Sequence, residues 1–396
     1  MLQESPVRDK SAKSLNGMMN AMADISIQDK RSVQDNDLME ISPKKEDETP
    51  KLTETEKEEI NSLSVLEELY KCSEKLIYEG ANGKIIKGQD KRTKQAIIIK
   101  IVKLKKSKYY YQQVKNEYNS LKDLKNKNLI ELLDLVRSEG SNELAFIIPY
   151  YQNGDLLDLL SHFRKQKIKI NSNLKDSIFK QIAKGVQFLH NNNLIHRDIK
   201  PENLMIGDDG NIKIGDFGYF LNLNEIEKDP SKFWNLENDH LLCGTNSFKA
   251  PEIFKCEAIL NESKDLEKVK SMIDFQQLDY WSLGITYIQI FLMKKPWNTA
   301  THDDSNFKHF KLNYPVSDNL IKDLNNDLED SKNNFKLNPC MNIFKDLHYG
   351  SRFWIIKLLH PTNSKRLTIQ DLLQSDWLKQ VYADPKELIS LKAKHL

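Results

Sequence analysis

Cysteine is scarce in this 396-residue chain: Cys72, Cys243, Cys256 and Cys340 are the four, and no two stand at C-x-x-C spacing. Such spacing offers no paired disulfide framework and fits reduced thiols in a cytosolic-type compartment. Long apolar runs are missing too. Stretches such as Leu283 to Met293 fall far short of the ~20 residues a membrane helix needs, so no transmembrane segment is expected. Neither charge dominates, with 59 Lys and Arg against 57 Asp and Glu. That balance leaves no electrostatic footprint for nucleic acid. Glu4, Asp9 and Asp24 interrupt the opening residues, which therefore do not read as a signal peptide. The expected location is cytoplasmic, with the nucleus open as an alternative. Aromatic residues are absent from residues 1–60, which are rich in Ser, Asp, Glu, Lys and Asn. Such a stretch cannot bury enough apolar surface to offset the entropy of ordering it, so a disordered tail is expected. Its Ser5-Pro6, Ser42-Pro43 and Thr49-Pro50 are either proline-directed phosphorylation sites or chance dipeptides.

What is present suffices for a core, since 39% of the residues are apolar. Thr53 with Glu56, or Thr55 with Glu58, offers a capping box ahead of Ile60, Leu63, Leu66 and Leu69 and predicts a short helix. Leu76 to Ile86 reads as strand, glycine-bearing turn and strand. Gly80 and Gly83 there would let backbone N–H groups approach phosphate oxygens, although such a pair also marks an ordinary hairpin. Ala96-Ile97-Ile98-Ile99-Lys100 is a β-rich run ending in a lysine, a position that a snorkelling side chain also explains. Val114, Tyr118 and Leu121 share one helical face, with Glu117 beside it. Leu144 to Tyr151 is an apolar strand followed by the turn formers Gln152-Asn153-Gly154-Asp155. Asp155 also suits a helix N-cap before Leu156. Ile178, Ile182, Val186 and Leu189 mark a buried helix that leads to the most informative stretch.

That stretch is His196-Arg197-Asp198-Ile199-Lys200-Pro201-Glu202-Asn203, followed thirteen positions later by Asp216-Phe217-Gly218. Together the two supply the carboxylates of Asp198 and Asp216, the Lys200 ammonium and the Asn203 carboxamide. Held close together, these are what phosphoryl transfer requires: a group to position the hydroxyl, a cation for the phosphate, and oxygens for Mg²⁺. Leu204–Ile206 and Ile212–Gly215 read as a hairpin between the two motifs.

In this order and spacing the motifs resemble the eukaryotic protein-kinase family, in its serine/threonine form because lysine stands two residues after Asp198. The resemblance covers roughly residues 70–380. It implies an α+β, two-lobed fold: an antiparallel sheet plus the family's αC helix, and a mainly helical second lobe. The organisation expected is a tail over 1–60 and a kinase domain over 61–380, with lobes at about 70–150 and 151–380. Insertions are expected at about 257–275 and 301–345, and a C-terminal tail at 381–396. The implied reaction moves the γ-phosphoryl group of ATP to protein serine or threonine with Mg²⁺. The alternatives are a catalytically weak pseudokinase scaffold and a small-molecule phosphotransferase.

Residue by residue, the resemblance makes Asp198 the base, Lys200 the phosphate's cation, and Asn203 and Asp216 the Mg²⁺ ligands. Lys100 would meet the α/β-phosphates and pair with Glu117. Ile77, Gly80, Gly83, Ile85, Ile98 and Met205 would surround the nucleotide. Pro149 would offer its carbonyl and Tyr151 its N–H to adenine, and Asp155 would meet the ribose or a basic substrate residue. Thr245 would bond to Asp198 and Lys200, Glu252 would pair with Arg366, and Asp279 would anchor the loop backbone. Leu121, Leu132, His196 and Phe217 correspond to a packing column. Three positions depart from the pattern. Tyr78 replaces the first loop glycine, Pro149 replaces a glutamate, and Leu241 stands where the family usually carries a phosphoacceptor. Asp239 or Glu237 is expected to substitute for that phosphate opposite Arg197. Asp155 and Glu202 point to substrates with upstream arginine or lysine, and the protein is expected to be monomeric. Pro296-Trp297, Ala300, Asp304 and Phe307 loosely resemble a fungal branch of the family.

Overall fold

The computed structural model describes residues 52–80, 83–104, 110–139, 142–236, 238, 240–329 and 340–395. The chain divides into two compact units, one running to Lys125 and including Ile130–Gln152, the other made of Asn126–Leu129 and Asn153 onward. Most of the expected N-terminal tail lies outside the described residues. Its last part is not a tail: Glu54–Ser62 is a helix, begun by the reciprocal Thr53/Glu56 capping box. That box, one of the two read from the sequence, satisfies two orphan donors of the first turn and starts the helix inside the stretch expected to be a tail.

The first unit is built on an antiparallel sheet in the order β1-β2-β3-β5-β4. The strands are β1 (Tyr70–Gly80), β2 (Gly83–Asp90), β3 (Ala96–Lys103), β4 (Asp134–Arg137) and β5 (Glu143–Pro149). Strand β3 is central and buried along six consecutive residues, which is why its apolar run is continuous rather than alternating. Its odd residues Ile97, Ile99 and Ile101 join Leu66, Tyr70, Ile86, Val136, Ala145 and Ile147 in one core cluster. Successive side chains point to opposite faces, so Ile98 and Lys100 face away from that cluster. Lys100 pairs in register with Ile85 and Phe146, and Ile98 pairs with Ile148. The helix Tyr110–Leu121 belongs to the same unit, with Tyr111, Val114 and Leu121 buried.

The second unit is mainly helical. Its long members are Ser172–Asn191 and Phe275–Leu292, the latter buried continuously from Leu278 to Ile290. Among its described residues four short strands punctuate it: β6 (Leu194–Ile195), β7 (Leu204–Ile206), β8 (Ile212–Ile214) and β9 (Leu221–Asn222). Strands β7 and β8 form the expected hairpin, and β6 pairs with β9. Residues 257–275 are largely helical, within Pro251–Ser263 and Leu266–Met272. After Pro296, Trp297 and Phe307 are core rings 5.3 Å apart, and Asp304 caps the helix Ser305–Leu312. Residues 381–395 are packed rather than tail-like. They end in the helix Lys386–His395, whose Leu388 is buried, and Lys392 donates to the Asn153 carbonyl at 3.0 Å. No helix among the described residues is long and apolar enough to cross a membrane.

Candidate active site

In the second unit the site starts where Ser172–Asn191 ends. Asn193 has φ 59°, the left-handed turn that commonly closes a helix, and it sends the chain into β6. The loop that follows hangs on one buried carboxylate. Asp279 accepts from the His196 N–H at 3.0 Å, the Arg197 N–H at 2.7 Å and His190 Nε2 at 2.9 Å. Burial alone would raise the Asp279 carboxyl, but the hydrogen bond from His190 and the neighbouring His196 outweigh it and hold the group below its ordinary value. The Thr286 hydroxyl donates to the Ile199 carbonyl at 3.0 Å, a second tie from the same buried helix. His196 bridges both motifs: its Nε2 meets the Gly215 carbonyl at 3.0 Å, and its Nδ1 accepts from the Asp198 N–H at 3.2 Å. Those partners set the tautomer with the proton on Nε2. The His196 and Phe217 rings lie 5.3 Å apart in this unit, and Leu121 and Leu132 are buried in the first.

On this frame the polar groups converge. Asp198 Oδ2 is 3.0 Å from Lys200 Nζ and accepts from Asn203 Nδ2 at 3.1 Å. Asp198 Oδ1 accepts from the Thr245 N–H at 3.0 Å, and Lys200 donates to Thr245 Oγ1 at 2.6 Å. Gly244 makes that approach feasible: its φ is +122°, and a Cβ there would crowd the Arg197 carbonyl. Burial pulls the Lys200 ammonium down, yet the carboxylates of Asp198, Glu202 and Asp216 outweigh it and the net shift is upward. Lysine 200 is therefore a fixed cation. Asn203 is wholly buried, and among the described residues its Oδ1 has no hydrogen-bond partner. Arg197 and Asp216 hold φ values of 64° and 56°, uncommon for residues with a Cβ and a form of strain that clusters at working sites.

Two further carboxylates lie nearby. Asp155 caps the helix Leu156–Lys165 through Oδ1, and Met205 bridges to it from β7. Asp155 Oδ2 and Glu202 Oε2 are buried and unpartnered among the described residues. Burial first, then the charges of Asp158 and Glu202, push the Asp155 carboxyl up to about 8. Burial likewise raises Glu202, against the pull of Lys200 and Lys295.

In the first unit, Ile85, Ile98 and Lys100 share one face of the sheet. Ile77 falls within a register irregularity of β1, next to Tyr78, which pairs with Ile85. Gly80 and Gly83 close the β1–β2 hairpin, whose tip at residues 81–82 lies outside the described residues. Gly83 also has a plain structural reason, since a Cβ there would run into the Ile101 carbonyl. Pro149 ends β5, and the Tyr151 hydroxyl accepts from the Glu131 N–H. Glu117 sits on Tyr110–Leu121, half-buried.

The carboxylates expected opposite Arg197, those of Asp239 and Glu237, lie outside the described residues. Among those described, the guanidinium donates to the carbonyls of Tyr219 at 2.6 Å, His240 at 2.7 Å and Leu241 at 3.4 Å, and it stands over the Phe233 ring. Sequence reasoning missed His190. The available signal was a polar residue on the buried stripe of Ser172–Asn191.

The sheet-plus-helix unit and the helical unit carrying this loop define the two-lobed protein-kinase fold. The chain belongs to the protein kinase domain family, whose model matches residues 72–378. It is 30% identical over 242 residues to "Probable serine/threonine-protein kinase MARK-C" of Dictyostelium discoideum, covering 61% of this chain and 28% of that protein. It is 25% identical over 322 residues to "CBL-interacting serine/threonine-protein kinase 2" of Arabidopsis thaliana, covering 81% of this chain and 58% of the relative. This chain thus spans less than two thirds of the length of either relative.

Proposed function

We propose that this chain is an ATP-dependent serine/threonine protein kinase. The observation that carries the reading is the Asp198–Lys200–Thr245–Asn203 network, with the buried, unpartnered Asn203 Oδ1 at its edge. A buried amide oxygen without a partner is costly unless an ion or water meets it. Magnesium fits such a donor set, because it takes one or two protein oxygens and fills the rest of its shell with water and phosphate. Asn203 and Asp216 would hold it. When bound, it offsets charge on the phosphates.

The chain's own groups then divide the work. Asp198 orients the substrate hydroxyl and accepts its proton as that oxygen bonds to the γ-phosphorus. The bond from that phosphorus to the β-phosphate oxygen breaks, and ADP leaves with the electron pair. Lys200, fixed by Asp198 and Thr245, stabilises the transferring group. Lys100 meets the α/β-phosphates with Glu117 as its partner. Ile77, Gly80, Gly83, Ile85, Ile98 and Met205 surround the nucleotide, Pro149 and Tyr151 meet adenine through the backbone, and Asp155 meets either the ribose or a basic substrate residue. Full-length protein with labelled ATP and a basic protein acceptor should yield phosphoserine or phosphothreonine, and chelating Mg²⁺ should stop it. Labelling of metabolites alone, or of nothing, would defeat the reading.

The two unpartnered carboxylate oxygens of Asp155 and Glu202 favour acceptors with an upstream arginine or lysine, whose cation would relieve both. On a peptide library, Asp155→Asn with Glu202→Gln should flatten a basic preference that the wild type shows. Asp155 also gives a pH prediction. Its folded value near 8 lies above the unfolded value of roughly 3.9, so the folded state holds the extra proton between them. Wild-type stability should fall as pH rises through that window. Asparagine caps helices as well as aspartate does and has no proton to lose. Melting curves at pH 5, 7 and 9 should therefore show Asp155→Asn gaining on wild type as pH rises. Parallel curves would refute the shift.

Arg197 donates to the carbonyls of Tyr219, His240 and Leu241, which supports a segment held in place by the chain itself, so activity should not depend on phosphorylation of the segment. Phosphatase-treated protein, verified by mass spectrometry, should keep its turnover. Activity that tracked phosphate on Ser231, Thr245 or Ser247 would overturn this.

A further inference from the structure

The helix Glu54–Ser62 lies against Tyr110–Leu121, the helix that carries Glu117, and the contact is polar and specific. Glu59 accepts from Lys115 Nζ at 2.7 Å through Oε1 and from the Tyr111 hydroxyl at 3.2 Å through Oε2. Glu56 accepts from Gln112 Nε2 at 2.9 Å through Oε1, while its Oε2 closes the capping box on the Thr53 N–H at 2.8 Å. One carboxylate thus ends its own helix and grips the next. Hydrogen bonds from Gln112 and from Lys115 hold Glu56 and Glu59, respectively, below the usual carboxylate range, so both act as anions. Burial and the Glu59 carboxylate push the Tyr111 hydroxyl up to about 12, so it stays a donor.

The segment that follows is fastened to the sheet. The Arg137 N–H donates to the Ser64 carbonyl at 3.0 Å, Ser138 and the Glu139 N–H donate to the Glu67 carboxylate, and Lys91 donates to the Glu67 carbonyl at 2.6 Å. Tyr70, at the start of β1, donates to Asp134 at 3.1 Å. Residues 53–70 are therefore a strap with one end on the sheet that carries Lys100 and the other on the helix that carries Glu117. The gripped residues are Tyr111, Gln112 and Lys115. Glu117 is two positions beyond Lys115, about 200° around the helix, so it points away from the strap.

We propose that Glu56 and Glu59 are positioning residues: through Tyr111, Gln112 and Lys115 they hold the Glu117 helix against the sheet so that Glu117 can serve Lys100. Neither touches substrate. The effect on turnover rests on the kinase reading above; the mechanical restraint does not. The segment becomes an activity determinant within the chain, and whatever weakens it, whether cleavage, modification near Thr53 or competition for the same helix face, lowers turnover.

The test uses the full chain with Glu59→Lys, the milder Glu59→Gln, and the charge swap Glu59→Lys with Lys115→Glu. Hydrogen exchange across residues 112–121 should accelerate in Glu59→Lys. Turnover should fall roughly fivefold, the scale set by losing one half-exposed ion pair with its hydrogen bonds. The swap should restore most of both, and Glu59→Lys should add nothing in a Glu117→Gln background. Unchanged exchange overturns the proposal. So does faster exchange with undiminished turnover, or a loss that persists unaltered in Glu117→Gln. Should wild type and Asp198→Asn both be inert, the kinase reading fails, and the exchange measurements alone decide whether the strap restrains the helix.

Discussion

Asp198→Asn should abolish phosphoryl transfer, lowering kcat by roughly 10²–10⁴-fold, the range for removing a positioned acid or base. The geometry makes this more than the loss of one proton acceptor. The carboxylate receives the Thr245 N–H on one oxygen and faces Lys200 and Asn203 on the other. An asparagine amide must turn an NH₂ group toward one of those donors, which leaves it facing N–H or ammonium hydrogens. Lys200 then loses the charge that does most to hold its ammonium up. Nucleotide affinity should change far less than kcat, because the network acts where the transferring phosphate would lie. A binding assay beside the kinetics separates the two. A variant that keeps even a tenth of wild-type kcat would remove Asp198 from the chemistry.

Breaking the Glu252–Arg366 pair should cost more stability than any other single change discussed. Arg366 donates to both Glu252 oxygens, at 2.6 and 2.7 Å, and both side chains are buried. The guanidinium also donates to the His360 and Gln277 carbonyls and lies 4.9 Å from the Trp281 ring centre. With Glu252→Ala that charge stays buried without its counter-ion, at a cost of about 3–5 kcal/mol. The melting temperature should drop by roughly 10 °C. Replacing both partners with methionine should recover most of the loss, since well-packed apolar pairs replace buried ion pairs at little cost. A Glu252→Ala protein melting within two or three degrees of wild type, about 1 kcal/mol or less, would show that the pair carries little.

Much of this molecule was legible before any coordinates. Two motifs of fixed spacing carried the family, because phosphoryl transfer needs particular groups at particular separations and few arrangements supply them. Strands β1, β2, β3, β5, β7 and β8 were legible as apolar runs between turn formers, whereas the short β4, β6 and β9 were not read, and Asp155 could be read as a helix cap from its neighbours alone. Contacts between residues close in sequence leave a local trace.

Tertiary structure decided the rest. That Arg197 ends on the carbonyls of Tyr219, His240 and Leu241 has no signature in sequence, since any residue supplies a carbonyl. That Glu59 reaches Lys115 depends on two helices meeting more than fifty residues apart in the chain. The oxygens of Asp155, Glu202 and Asn203 that find no partner among the described residues are defined by what surrounds them. Sequence alone determined which chemical groups this protein has to work with. Folding determined which of them are charged, which are satisfied and which stay unmet, because burial and distance set those properties and neither is written at a single position.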